Sequence, residues 1–243
     1  GFFVARAGLG ASESMRSKLA EYNDPRLSRA FITKQGASGK EQAPGTADNA
    51  VYAPNGSPEQ GTSKYGTSLF MYSISAPTLL LSYHELKFLE AEALCRLGRD
   101  AKSALKDAVV AGLLNAENSF SVSRKELGKT LINPASSITD TEAESYFDNT
   151  IEAKYTAEPL KTTMIQKYFA LWGASGEATE SYNDVRRMKG LGENFIELKN
   201  PNSFPLRCPY GNSDTTTNAE VKAAYGNGQY VYSENVWWAG GSR

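Results

Sequence analysis

His84 is the only histidine in this 243-residue chain. Serine-type and thiol-type nucleophilic catalysis both need an imidazole base oriented by a third group, so either would have to be built on it. His84 falls in the first turn of a helical pattern, with no cysteine or second histidine at ligand spacing, which argues against a metal site. Gly36-Ala37-Ser38-Gly39 and Gly173-Ala174-Ser175-Gly176 lack the residue between Ser and Gly that a nucleophile elbow requires. Gly39-Lys40-Glu41 lacks the Ser/Thr and the upstream spacing of a phosphate-cradling loop. The expectation is a chain with no catalytic residue, no metal and no cofactor.

Carboxylates are plentiful enough for a glycosidase pair on composition alone. Glu90 and Glu92, two apart on a helix, diverge, as do Glu142 and Glu144, and both pairs read as solvated faces and caps. Arg186-Arg187 reads as a structural ion-pairing element, with Asp184 as a natural partner. Aromatics offer a different chemistry. Sugar rings carry apolar C–H faces that lie on aromatic rings, while amides and carboxylates take their hydroxyls. Tyr52 and Tyr65, on a long loop, are the candidate ligand-binding platforms; pinning that loop to the scaffold is the alternative role for both. Phe88, Tyr168, Phe169, Trp172, Trp237 and Trp238 read as core.

The elements that would position these groups are mainly helical. Residues 12–22 form a short helix with Ser12 as N-cap and Met15, Leu19 and Tyr22 on one face. Asn23-Asp24-Pro25-Arg26 ends it, because a residue before proline leaves the α region. Leu27 to Thr33 and Leu69 to Ile74 read as short extended segments, separated by a long loop over 34–68. Ser82 and Glu85 fit a capping box. It opens a helix whose apolar stripe is Leu86, Leu89, Ala93 and Leu97, widened by Phe88, Leu94 and Cys95 and stopped by Gly98. A second helix starts at Asp100, with Ala101, Ala104, Leu105, Ala108 and Gly112 as a small-residue inner face. The two make a hairpin of tetratricopeptide kind. Thr139 and Glu142 open another helix, 156–172 and 177–188 add two more, and little helical pattern follows Gly190. The expected class is mainly α: tetratricopeptide-like hairpins over about 82–188, with irregular, loop-rich segments over about 23–81 and 190–243 and a few short strands.

Bulk properties remove other classes. The chain holds 26 basic and 27 acidic residues, so no excess positive charge draws it to nucleic acid. No apolar run approaches the length of a membrane span. Cys95, in an apolar helical pattern, reads as a buried thiol, and a Cys95–Cys208 disulfide stays open.

Five segments, taken together and in order, resemble the SusD/RagB-like family of outer-membrane nutrient-binding lipoproteins. They are Asn23-Asp24-Pro25-Arg26-Leu27 after a short helix; Ser82-Tyr83-His84-Glu85-Leu86-Lys87-Phe88-Leu89-Glu90-Ala91-Glu92-Ala93; and Ile165-Gln166-Lys167-Tyr168-Phe169-Ala170-Leu171-Trp172. The fourth runs from Glu177 through Tyr182-Asn183-Asp184-Val185-Arg186-Arg187. The fifth is Phe204-Pro205-Leu206-Arg207-Cys208-Pro209-Tyr210 with Val236-Trp237-Trp238 near the end. Tyr168 and Val185 stand where the family's segments carry tryptophan, and both read as packing positions.

The resemblance implies a tetratricopeptide-like scaffold in which residues 1–243 are the C-terminal part of a single domain, since the family's proteins are roughly twice as long. It implies a cell-surface protein at the outer membrane, held by a lipid anchor absent from this chain. It implies non-catalytic binding of a glycan or oligosaccharide, delivered to a SusC-like TonB-dependent transporter. A peptide ligand, as in the RagB-like branch, or a tetratricopeptide-type adaptor role is the alternative, and a helical-scaffold polysaccharide hydrolase is a more distant one.

Overall fold

A computed structural model describes residues 10–33, 44–45, 52–55, 65–199 and 203–241. The rest of the 34–68 loop lies outside the described residues. The chain divides into two compact units, 1–198 and 199–243.

Local chemistry sets the helix starts in the first unit. The Ser12 hydroxyl accepts the Met15 amide at 3.3 Å and starts α1, Glu13–Glu21, which buries Met15 and Leu19. Asn23 follows in the left-handed region at φ 49°, a conformation asparagine tolerates. Two short antiparallel strands come next: β1, Phe31–Ile32, pairs with β2, Thr67–Ser68. The extended segment expected over 69–74 is instead a 3-10 turn, Leu69–Tyr72. The Ser68 hydroxyl caps it by accepting the Phe70 amide, and the Leu69 carbonyl accepts a hydrogen bond from the Ser123 hydroxyl at 2.7 Å.

The hairpin forms as expected, with three corrections. Helix α2, Tyr83–Arg96, is capped by Ser82, whose hydroxyl accepts the Glu85 amide at 3.1 Å. The reciprocal half of the box is not made by Glu85, because the Glu177 carboxylate takes the Ser82 amide. Gly98, at φ 67°, ends the helix in the left-handed turn. The buried face of α2 is His84, Glu85, Phe88, Ala91 and Glu92; Leu86, Leu89 and Leu97 are exposed. Helix α3, Lys102–Leu127, runs well past the small-residue face and buries Leu113, Ala116, Phe120 and Ser123 beyond Gly112. Gly112 lies where a Cβ would come within 2.9 Å of the Ala170 Cβ, so the close approach is to the helix carrying Ala170.

Thr139 caps α4, Asp140–Tyr146, and a π-turn over Phe147–Ile151 joins it to α5, Glu152–Ala157. Glu158, pushed out of the helical region by the proline after it, separates α5 from α6, Pro159–Leu171, so the helix expected from 156 begins at Pro159. Helix α7 is Glu180–Gly190. Helices α2, α3 and α6 pack together around Phe88, Leu105, Leu113, Phe120, Met164 and Phe169.

The second unit is more helical than its composition suggests. It holds α8, Asn212–Thr217, α9, Ala219–Tyr225, and α10, Tyr230–Ser233. Asn218 caps α9 with its side-chain oxygen. Tyr210, Tyr225 and Tyr230 pack ring on ring at 4.8 to 5.8 Å, and the Arg207 guanidinium lies over two of them. Cys95 and Cys208 are both free thiols; Cys95 is half-buried beside the Thr163 hydroxyl.

Candidate functional site: an aromatic arc and a polar cleft

Helix α6 ends at Leu171, and Trp172 follows it just before Gly173. Gly173 has φ 81°, and a Cβ there would sit 2.6 Å from the Phe70 ring. Only glycine lets the Phe70 ring lie that close to the turn. Phe70 therefore meets Trp172 edge-on at 5.0 Å, and Trp172 meets Phe31 at 5.4 Å. Tyr52 closes the series with an edge contact to Phe31 at 5.2 Å. Phe70, Trp172 and Tyr52 are each half-buried, and Tyr52 and Trp172 both pack on the buried Phe31. The Arg16 guanidinium lies 5.3 Å from the Tyr52 ring centre. Burial raises the Tyr52 phenol above its ordinary range, against the pull of Arg16, so its hydroxyl is a neutral donor.

The long loop returns to this arc. The Gly45 amide donates to the Phe31 carbonyl, and Ala53 bridges to Ser12. Of the two sequence-predicted platform residues, Tyr52 thus stands in the arc. Tyr65 is 4% exposed just before β2, and in this structure its ring offers no open face. Trp172, read as core, packs on Phe31 and Phe70 and is half-buried at the end of α6, directly before the Gly173 turn.

The Asn23-Asp24-Pro25-Arg26 turn builds a second feature. Asp24 and Arg26 are both buried and paired at 2.6 and 2.8 Å, and the Arg26 Nη1 donates to the Phe169 carbonyl at 2.7 Å. Burial alone would loosen the Arg26 proton; the Asp24 carboxylate outweighs it and holds the guanidinium charged. The Tyr146 hydroxyl adds a 3.3 Å contact to Asp24, and burial pushes that phenol well above its usual range. Above this floor opens a cleft of about 460 Å³ with Asn23, Ser28, Arg29, Glu142, Ser145 and Thr150 on its walls. Arg29 is fixed there by Glu142 at 2.8 Å and the Ser136 carbonyl at 2.7 Å. Glu142, in the first turn capped by Thr139, keeps its side chain 38% exposed while it pairs with Arg29. The cleft offers hydroxyl, amide and carboxylate groups, which is the chemistry that hydroxyl-rich ligands use.

The remaining candidates are structural. Glu92, expected at a solvated face, is buried and held by Arg187 and Arg96; these hydrogen bonds outweigh its burial and lower its carboxyl below the usual range. Arg187 also reaches Asp184 at 2.8 Å, as its sequence position suggests. Lys167 is buried against Asp184 at 2.8 Å. His84 faces Glu177 at 3.5 Å, and burial lowers its imidazole below the ordinary range. No group of three or more histidine, cysteine or carboxylate side chains that could hold a metal ion occurs among the described residues.

Comparisons with known proteins converge on one family. Residues 3–210 match the model of a SusD-like family described as starch-binding and associating with the outer membrane. A crystal structure of a SusD/RagB family protein from Bacteroides thetaiotaomicron shares 65% identity, with a TM-score of 0.88 over 100% of this chain and 52% of that one. A SusD homologue from Bacteroides fragilis superposes at a TM-score of 0.57 with 18% identity, over 92% of this chain and 50% of that one. An outer-membrane protein of Bacteroides vulgatus, linked to nutrient binding, gives 0.54 and 22% over the same shares. The last two show the fold alone. No curated protein matches the chain significantly. The chain spans about half the length of these solved structures. With the family's segments in order and its model matched over most of the chain, this protein belongs to the SusD-like family of outer-membrane-associated binding proteins.

Proposed function

We propose that this chain forms part of a non-catalytic binding protein that captures a glycan or oligosaccharide at the cell surface and hands it to a SusC-like TonB-dependent transporter. The observation that carries this reading is the arc of Tyr52, Trp172 and Phe70, three half-buried aromatic residues gathered where the long loop returns to the scaffold. Rings in that arrangement suit the apolar faces of pyranose units. The polar cleft beside Asn23 and Glu142 supplies the hydrogen-bonding groups a sugar also needs. The family's description as starch-binding makes an α-glucan the first ligand to try. Tyr65, being buried, takes the role of holding the loop.

Each stacked sugar contributes modestly, because ordering a flexible ligand offsets much of the gain. The test is calorimetry of the full-length protein with an α-glucan and other oligosaccharides, with product analysis on the same samples. Saturable binding without product is expected. Trp172→Ala should weaken it by roughly two- to tenfold, taking about 0.5–1.5 kcal/mol per aromatic contact as the scale. Binding unaffected by both Trp172→Ala and Tyr52→Ala would remove the arc from the site. Saturable binding of peptides alone would replace the glycan by a peptide ligand.

A further inference from the structure

Arg207, in the second unit, carries a charge that the chain leaves incomplete. A guanidinium offers five N–H donors in a planar fork. Arg26 and Arg29, buried in the first unit, spend theirs on three and four side-chain hydrogen bonds. Among the described residues Arg207 makes one, from Nη2 to the Tyr210 hydroxyl at 3.5 Å. Its Nε is buried with no partner. The Glu234 carboxylate stands 3.9 Å from Nη1, beyond hydrogen-bond distance, and is 54% exposed. A pair that long and that exposed is worth little. A mostly buried guanidinium in this state calls for a partner.

The surroundings fix the group in place before any partner arrives. The Leu206 amide donates to the Val231 carbonyl at 2.8 Å, and the Tyr210 amide to the Tyr230 hydroxyl at 2.5 Å, so residues 206–210 are tied to α10. The guanidinium then lies over the Tyr210 and Tyr230 rings at 5.6 and 5.4 Å, with its side chain 18% exposed. Tyr230 is buried, whereas Tyr210 is 40% exposed and stacks on the half-buried Tyr225 at 4.8 Å. An under-satisfied cation and an open aromatic ring are therefore side by side, and a ligand meeting both loses little to ordering of the protein.

We infer that Arg207 and Tyr210 form a second ligand site, which takes a sugar unit bearing a carboxylate. This rests on the reading of the chain as a sugar-binding protein and extends it to acidic glycans. A uronic acid carries its carboxylate directly on the ring, so anion and apolar C–H face arrive together. The carboxylate matches the planar fork of the guanidinium, and the C–H face matches the tyrosine ring. A free inorganic anion would use the first feature and leave the second idle. Glu234 competes for the same cation, and an incoming carboxylate displaces it.

Calorimetry of the full-length protein tests this with a galacturonic-acid trisaccharide, the galactose trisaccharide of the same linkage, and an α-glucan. The acidic trisaccharide should bind saturably, more tightly than its neutral counterpart, and more weakly as salt is raised. Saturating α-glucan should not displace it. Arg207→Gln should weaken it by roughly tenfold or more, the scale of lost charge-assisted hydrogen bonds. That variant also removes packing on two tyrosines, so a second one carries the test. Glu234→Gln alters an exposed side chain and should tighten binding of the acidic trisaccharide by roughly two- to fivefold. A purely structural Arg207 gives no such gain. Equal affinity for the acidic and neutral trisaccharides, or no gain in Glu234→Gln, would overturn the inference and leave α-glucan binding, and the proposed function, standing. Displacement by the α-glucan would merge the two sites and overturn it as well. Preference for a sulfated galactose oligomer over the uronate would remove the carboxylate as the recognised group. No binding of any of these sugars would overturn both readings.

Discussion

Two buried clusters of charge in the first unit use the same ingredients and reach opposite balances. Around Asp24, one carboxylate meets one guanidinium in paired geometry, and a phenol and a backbone carbonyl complete the set. Around Glu177, two carboxyl groups meet. Glu85 and Glu177 lie together in the buried space between α2 and the 173–179 turn, with His84 Nε2 at 3.5 Å from Glu177. His84 Nε2 and Glu177 Oε2 lack a hydrogen-bond partner among the described residues. Burial, then the Glu177 carboxylate, pushes the Glu85 carboxyl up to about 7. In the first cluster the Arg26 guanidinium is held more firmly charged and the Tyr146 phenol more firmly neutral, whereas the second carries a carboxyl raised into the neutral range. Burial therefore does not decide whether a charge is stable; the partner does.

The largest effect should come from breaking the closed cluster. Arg26→Met leaves the Asp24 carboxylate buried without its cation, and removing one partner of a buried pair costs about 3–5 kcal/mol. Denaturant unfolding of the full-length protein would show it as a lower midpoint at unchanged slope. Adding Asp24→Asn to Arg26→Met should recover part of the loss, because the stranded charge is gone. A loss of under about 1 kcal/mol for Arg26→Met would show the knot to be solvated and the comparison misdrawn.

Much of this fold was legible in the sequence, and the exceptions share a cause. Ser12, Ser82 and Thr139 announce helix starts because a cap acts on amides two or three residues away. The second half of α3 hid behind Asn115, Glu117, Asn118 and Ser123. Glu117 accepts the Ile138 amide, and Ser123 donates to the Leu69 carbonyl, so both partners lie far off in sequence. The face of α2 was read from its leucines, yet its inner side is the polar one. Glu92 can be buried only because Arg187 arrives from α7, and Glu85 only because Glu177 arrives from the turn. The arc was half visible for the same reason. Tyr52 stands out on a loop, whereas Trp172 joins the arc only once Phe70 folds onto Gly173.

The second test bears on how Glu177 is held. Gly176 has φ 94°, and a Cβ there would sit 2.1 Å from the Leu79 carbonyl oxygen. That carbonyl belongs to the segment whose Ser82 amide Glu177 accepts. Gly176→Ala must displace either the turn or residues 79–82, at a cost of about 2–3 kcal/mol from backbone strain and overlap. Thermal unfolding should register the loss. It should be larger than for Gly192→Ala, which has a similar positive φ of 76° and no neighbouring atom within 4 Å. Equal losses at the two sites would mean that the turn does not clamp the start of α2.

The smallest effect is the most specific, because it carries a sign. Glu85 has a folded-state value of about 7 against an ordinary 4.5, so the folded protein holds this proton more tightly than the unfolded chain does. Its contribution is fully present below pH 4.5 and is lost as pH rises through 7. His84 works the other way, since burial lowers its imidazole and disfavours the folded state as pH falls below its ordinary value. The net slope of the native protein therefore mixes the two, and substitution at Glu85 isolates one. Glu85→Gln keeps the shape of the protonated acid and its ability to donate to Glu177, but cannot ionise. Relative to the native protein it should gain on the order of 1–2 kcal/mol at pH 8, after discounting for solvent screening, and only a small fraction of that at pH 5, just above the ordinary 4.5. Lys167 and Glu180, the other charges acting on Glu85, pull in opposite directions, and their sum is already contained in the value of about 7. The readout is the difference in unfolding free energy at several pH values between 5 and 8. A constant difference across that range would mean that Glu85 is ionised in the folded protein throughout, and that the pair is held by a compensating cation rather than by a shared proton.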